Sequence, residues 1–126
     1  MDIYREELLD HYREPRNWGI KNNEGLVGQG VNQLCGDEVT VQVFLDPAPR
    51  GVPGGAGIKE MRFEGHGCAI SRAACSVVSE FIKDKSVNEV EKLNADDVQR
   101  LLGVKLPPRR WACALLGLET VQKLMV

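Results

Sequence analysis

Four cysteines, at positions 35, 68, 75 and 113, carry whatever soft-metal or sulfur chemistry this sequence can perform. Thiolate is the form that binds soft metals and attacks sulfur. It is favoured where free backbone N–H groups and the positive end of a helix dipole lie close by. Three of the cysteines share that kind of context. Cys35 stands in "LCGDE", a turn between two strands, and Cys68 in "GHGCAIS", between a strand end and a helix N-terminus. Cys113 follows the proline break "KLPPRRW" at the start of the last helix. Gly36 and Gly67 leave backbone room beside the first two, as close approach to a ligand requires. Asp37 is either a hard oxygen ligand or a plain Asx-turn residue. The wide cysteine spacing argues against a zinc ribbon, which needs close CxxC pairs. Mononuclear zinc, an iron–sulfur cluster and a nucleophile all remain compatible with it.

The other candidates are weaker. Cys75 falls seven residues after Cys68 on the same predicted helix, about 10 Å along the axis and too far for one mononuclear site. Packing is the expected role of this thiol. His66 points the same way as Cys68 if the segment is extended, which makes it a candidate fourth ligand; a solvated loop histidine is the plainer reading. His11, within "DHY" on the first helix, has no ligand near it and reads as structural or surface. Arg109 and Arg110 are a solvated loop, a thiolate stabiliser or a docking point for an acidic partner.

The elements that must position these residues follow from periodicity. Residues 2–14 read as a helix, capped by Asp2, with Ile3, Leu8, Leu9 and Tyr12 at helical spacing and Pro15 as the stop. Three strand-like runs come next: "GLVGQGVN", "EVTVQVFL" and "IKEMRFEG". The second alternates cleanly, with Val39, Val41, Val43 and Leu45 on one face. "DPAPRGVPGGAG" between the last two is dense in Pro and Gly and reads as an exposed hairpin connection. From Cys68 the period becomes 3.6, with Ile70, Ala73, Ala74, Val77, Val78, Phe81 and Ile82 in one apolar stripe. Two short helices follow, capped by Ser86 and Asn94, the second stopped at Gly103. A last helix is predicted from Cys113 to Met125, with Leu115, Leu116, Leu118, Val121 and Leu124 inward. Strands first and helices after means α+β.

The chain has 126 residues, 43% hydrophobic and 27% charged, the balance of one ordinary globular domain spanning 1–126. A net charge of −2 gives no sign of nucleic acid or of an anionic membrane as partner. No secretory signal pattern and no apolar run of about 18 residues are present, so a cytoplasmic protein is expected. In a reducing compartment the cysteines are thiols, ligands or nucleophiles and not a disulfide framework.

Taken together these segments resemble the U-type iron–sulfur scaffold family, which includes IscU, the N-terminal domain of NifU, and SufU. "YREELLDHYREPRNWG" is similar to the family's opening helix ending in D-H-Y-x-x-P-R-N-x-G, and "CGD" at Cys35–Asp37 to its first cysteine motif. "GHGCAIS" resembles G-x-G-C-x-I-S, and "LPPRRWAC" lines up without gaps on L-P-P-V-K-I-H-C of IscU. The resemblance implies a three-stranded antiparallel sheet packed against several helices (SufE/NifU-like). It also implies that Cys35, Cys68 and Cys113 bind the cluster, with Asp37 tuning the site. By the same resemblance the protein is a scaffold or carrier and not an enzyme. It takes sulfur as persulfide from a cysteine desulfurase, combines it with iron, holds a labile [2Fe–2S] cluster and passes it to apo iron–sulfur proteins or carriers. Zn²⁺ commonly fills the same ligands.

The departures from the pattern shape the alternatives. Ala112 stands where IscU has histidine, as in SufU, yet the span from Cys68 to Cys113 has no room for SufU's insertion. L-P-P-R-R in place of L-P-P-V-K counts against docking of an Hsp70-type chaperone. Asp37 is the first choice as fourth ligand, ahead of His66, Cys75 from another protomer of a weak homo-oligomer, or an external thiol. The competing expectation is a SufU-like zinc-dependent sulfurtransferase with Cys113 as persulfide acceptor.

Overall fold

The computed structural model describes residues 3–21, 24–33, 36–46 and 56–125, the side chains of 3–7 excepted. Asp2, Cys35 and most of the predicted hairpin connection lie outside them. Helix α1 spans Ile3–Arg13, followed by strands β1 (Leu26–Asn32), β2 (Asp37–Asp46) and β3 (Gly57–His66). The helices α2 (Ala69–Phe81), α3 (Val87–Glu91), α4 (Ala95–Leu102) and α5 (Trp111–Leu124) complete the order. The strands form one antiparallel sheet in the order β1-β2-β3. The fold is therefore the expected α+β arrangement.

Alternation in β2 builds the core. Val39, Val41 and Val43 are buried on the face that receives the helices, beside Met61 and Phe63 of β3. Helices α2 and α5 pack on that face and on each other, with α1 and α4 against α2. On the opposite face Gln42 is fully buried, with the backbone of Lys21 and Glu24 against its amide. Its amide accepts the Lys21 N–H at 2.8 Å and donates to the carbonyls of Lys21 and Glu24 at 2.6 and 2.7 Å. A buried amide is tolerable only when its hydrogen bonds are made.

β1 presents two glycines to α5. A Cβ at Gly28 would meet Leu124 at 2.6 Å, and one at Gly30 would collide with the Thr120 hydroxyl. The strand is thus thin where the helix crosses it. A similar accommodation joins the helices, where a Cβ on Gly117 of α5 would lie 2.5 Å from Cys75 Sγ of α2.

Two helical expectations need correction. α2 carries no simple stripe, since Ser71, Ala73, Ala74, Cys75, Ser76, Val78 and Ser79 are all buried by neighbours on several sides. Its serines tie down the segment after α1. Ser76 Oγ accepts from the Arg16 N–H at 2.8 Å and meets His11 Nδ1 at 2.7 Å, while Ser79 Oγ accepts from Asn17 Nδ2 at 2.9 Å. Leu9 and Tyr12 of α1 are exposed. The second correction is that α5 begins at Trp111, two residues before Cys113. A 3₁₀ turn at Pro108–Arg110 leads straight into it, because proline is well suited to a first helical turn. The caps at Ser86, Asn94 and the left-handed Gly103 are as the sequence predicts, the first two as full capping boxes.

Candidate metal centre

Three elements deliver one potential ligand each. Asp37 opens β2 on its core-facing side, so its carboxylate is only 3% exposed. Cys68 is the N-cap of α2, and its sulfur accepts the Ser71 N–H at 3.5 Å, where a hydroxyl or carboxylate usually serves. Cys113 lies in the first turn of α5 and is 3% exposed. One ligand atom from each of Asp37, Cys68 and Cys113 lies within 4.8 Å of the others. A tetrahedral zinc with sulfur ligands at about 2.3 Å has ligand–ligand edges of about 3.8 Å. The donors are within a small side-chain adjustment of that geometry, and two thiolates with a carboxylate suit zinc or iron. The donor set fits the group that the sequence resemblance implies.

Hydrogen bonds hold this arrangement. Asp37 Oδ1 accepts the Cys68 backbone N–H at 3.0 Å, and Oδ2 lies 3.7 Å from Cys68 Sγ. A carboxylate here also meets the positive end of the α2 dipole. Asn32, the last residue of β1, brings Nδ2 to 3.9 Å from Cys113 Sγ. Gly36, just before Asp37, has φ of 76° and its N–H bonds the Asn32 carbonyl at 2.8 Å. A Cβ there would meet nothing within 4 Å, so the backbone angle and not crowding asks for glycine.

The remaining candidates fall elsewhere. Cys35 lies outside the described residues, two positions before Asp37. His66 is exposed at the end of β3, paired in register with Glu38, and is not one of the converging ligands. Cys75 is buried between α2 and α5, and burial pushes its thiol up to about 12, so it is an inert thiol at neutral pH. His11 is held by Ser76 and approaches Glu80 at 3.6 Å, a structural position. Arg109, Arg110 and Ala112 are exposed. Asn32 gives no sign in the sequence beyond sharing a strand face with Gly28 and Gly30. Arg72 gives only the hint of a single basic residue on a helix rich in alanine, serine and valine.

A carboxylate and two cysteine sulfurs able to hold a metal thus meet where a three-stranded sheet and two helices come together. Residues 3–126 match the NifU-like N-terminal domain family, and the chain belongs to that family. It is 34% identical to the iron–sulfur cluster assembly scaffold protein IscU of Aquifex aeolicus (strain VF5), over 94% of this chain and 71% of that one. It is 29% identical to the zinc-dependent sulfurtransferase SufU of Bacillus subtilis (strain 168), over 96% of this chain and 88% of that one. The crystal structure of the SUF-system protein FiSufU from Fervidobacterium islandicum AW-1 superposes with a TM-score of 0.75 at 28% identity, covering 96% and 95% of the two chains. Among the described residues no helix is long and apolar enough to cross a membrane.

Proposed function

We propose that this protein is a scaffold on which a labile [2Fe–2S] cluster is assembled and from which it is passed to apo-proteins. The observation that carries the reading is the convergence of Asp37, Cys68 and Cys113; Cys35, two positions before Asp37 in the sequence, is the further ligand the reading assigns. The cluster is cargo, and the protein is a carrier whose sulfur comes as persulfide from a cysteine desulfurase. A cargo site must also let go. One carboxylate among thiolates serves that end, because a hard oxygen holds a sulfide-bridged iron less durably than a fourth thiolate would.

Ala112 favours a second reading. Its exposed methyl group supplies no ligand, and the SufU relative is named as a zinc-dependent sulfurtransferase. In that case Cys35, Asp37, Cys68 and Cys113 would hold Zn²⁺, which would keep the thiols ionised. Cys113 would be the nucleophile, its thiolate attacking the outer sulfur of the desulfurase persulfide. A new S–S bond forms at Cys113, and the desulfurase cysteine departs as thiolate.

Anaerobic incubation of metal-free protein with iron, cysteine and a desulfurase separates the two. Stoichiometric thiolate-to-iron absorption bands, with transfer to an apo-ferredoxin, are expected of the scaffold. Zinc that iron cannot displace, together with zinc-dependent stimulation of the desulfurase, would sink it. Asp37→Ala should lengthen the lifetime of the reconstituted cluster, followed as decay of visible absorbance; an unchanged lifetime removes Asp37 from the labilising role.

A further inference from the structure

The two edges of the sheet are treated differently. β3 is covered on its outer side by chain from elsewhere. Phe63 donates its backbone N–H to the Asn17 carbonyl at 3.1 Å and accepts the Gly19 N–H at 2.8 Å. Toward the other end of the strand, Ile58 donates to the Lys85 carbonyl and accepts the Asp84 N–H, each at 2.8 Å. β1 forms the opposite edge. Among the described residues, the backbone of Leu26–Val31 pairs with β2 alone. An open strand edge is a template for another strand, and proteins ordinarily blunt it with a charge, a proline, a bulge or a covering segment. "LVGQGVN" holds no charged residue and no proline, and its register with β2 is unbroken.

The strand is also self-complementary. From Val27 through Gly28, Gln29 and Gly30 to Val31 it reads the same in both directions. An antiparallel copy turned about a twofold axis at Gln29 therefore sets Val27 against Val31, Gly28 against Gly30 and Gln29 against itself. Residues directly opposite in an antiparallel pair share a face and touch. Val27, Gln29 and Val31 stand on the face away from the helices, in register with Gln42, Thr40 and Glu38 of β2. The two valines are 47% and 55% exposed, and this pairing covers each with the other copy's. The Gln29 amides, each both donor and acceptor, meet at the axis. On the helix side the centre of the seam holds only glycines, which put no side chain between the strands. A foreign strand could match the backbone of this edge, but a second copy also matches its palindrome.

We propose that a second copy of this chain docks along β1, antiparallel and centred on Gln29, joining two three-stranded sheets into one with the helices of both copies on the same face. In this dimer Asn32, beside the metal centre, stands opposite Leu26 of the second copy. The two Asn32 residues are then six strand positions apart, about 20 Å along the seam. Each metal centre is complete within its own copy, so dimerisation needs no metal. A seam of one short strand from each copy is small beside the roughly 1,200–2,000 Å² of a stable interface, so the dimer is weak and depends on concentration.

Sedimentation velocity of the full-length protein, kept reduced and metal-free, from about 10 μM to about 1 mM tests this. A reversible monomer–dimer equilibrium with its Kd inside that range is expected, and zinc-loaded protein should give the same Kd. Val27→Glu and Val31→Lys should each raise the Kd at least about tenfold, because a charge on the edge then faces a valine. The double variant sets each glutamate against a lysine across the seam and should return to within about threefold of the parent protein. That rescue is specific to this register, since within one strand the two positions lie about 13 Å apart. A monomer at 1 mM would overturn the proposal and leave the edge to a strand from another protein. So would single variants that dimerise like the parent, a double variant without recovery, or a dimer that forms only with zinc. Should a variant fail to fold, ¹⁵N amide shifts of the parent protein on dilution decide. They should centre on β1 and spare β3, and shifts centred elsewhere would overturn the seam.

Discussion

Cys75 and Cys113 show how little residue type says about a thiol. Both are buried, yet Cys113 faces Asp37 and Cys68 while Cys75 faces a glycine. The sequence distinguished them by distance along the helix axis: seven residues from Cys68, about 10 Å, is too far to share a metal. Burial has a consequence for Cys75 that can be measured. In the unfolded chain its thiol ionises near the ordinary 9.0, and in the folded protein only near 12. Below pH 9 both states keep the proton, so stability is unaffected there. Between those values the unfolded chain loses the proton and the folded one retains it. Stability should then fall as pH rises, at up to about 1.4 kcal/mol per unit from this group. Urea unfolding between pH 8 and about 10.5 should show the decline, and Cys75→Ala should flatten it. Asp37 was legible as either a turn residue or a ligand. Its double engagement, one oxygen on a distant backbone N–H and the other near a thiol, depends on a strand and a helix being brought together, which no local pattern encodes.

The same limit applies to whole elements. The caps of α3 and α4 could be read directly, because a capping box lies within four consecutive residues. The inward face of α2 could not, because its burial comes from α1, α4, α5 and β3 together. Ser76 and Ser79 look like the polar side of an amphipathic helix and instead anchor residues 11–17. The start of α5 was displaced because proline reads as a break when it can equally open a helix. The crossing of α2 and α5 is similarly hidden, since Gly117 in a helix interior looks like a local cost of about 1 kcal/mol. Its purpose is to admit Cys75. Gly117→Ala should destabilise the protein by about 1–3 kcal/mol despite the better helix former, through overpacking. Adding Cys75→Ala should recover most of that loss. A double-mutant cycle by urea unfolding measures the coupling, and simple additivity would refute the contact.

At the scale of the molecule, the family's motifs made the three-stranded α+β plan and the donor residues legible together, while the spatial convergence came only with the structure. Asp37, Cys68 and Cys113 are separated by 31 and 45 positions, and each is presented by a different element. A metal held by these three residues would join the sheet to both central helices, and its affinity would depend on how those elements are seated. Here the two glycines of β1 matter. They act as a thin shim beneath α5: the helix rests where side chains are missing, and Cys113 is carried at its far end. Thickening the shim at Gly30, against the Thr120 hydroxyl and Leu116, should lift the helix and spread the donors without touching any of them. Gly30→Ala should weaken zinc by about tenfold or more in competition with a chromophoric chelator, the scale of a lost supporting contact. Gly28→Ala should cost less, because the end of Leu124 can swing aside. Metal affinity in this protein then serves as a gauge of helix seating, with a scale graduated in single methyl groups on a strand that contributes no ligand to the described site.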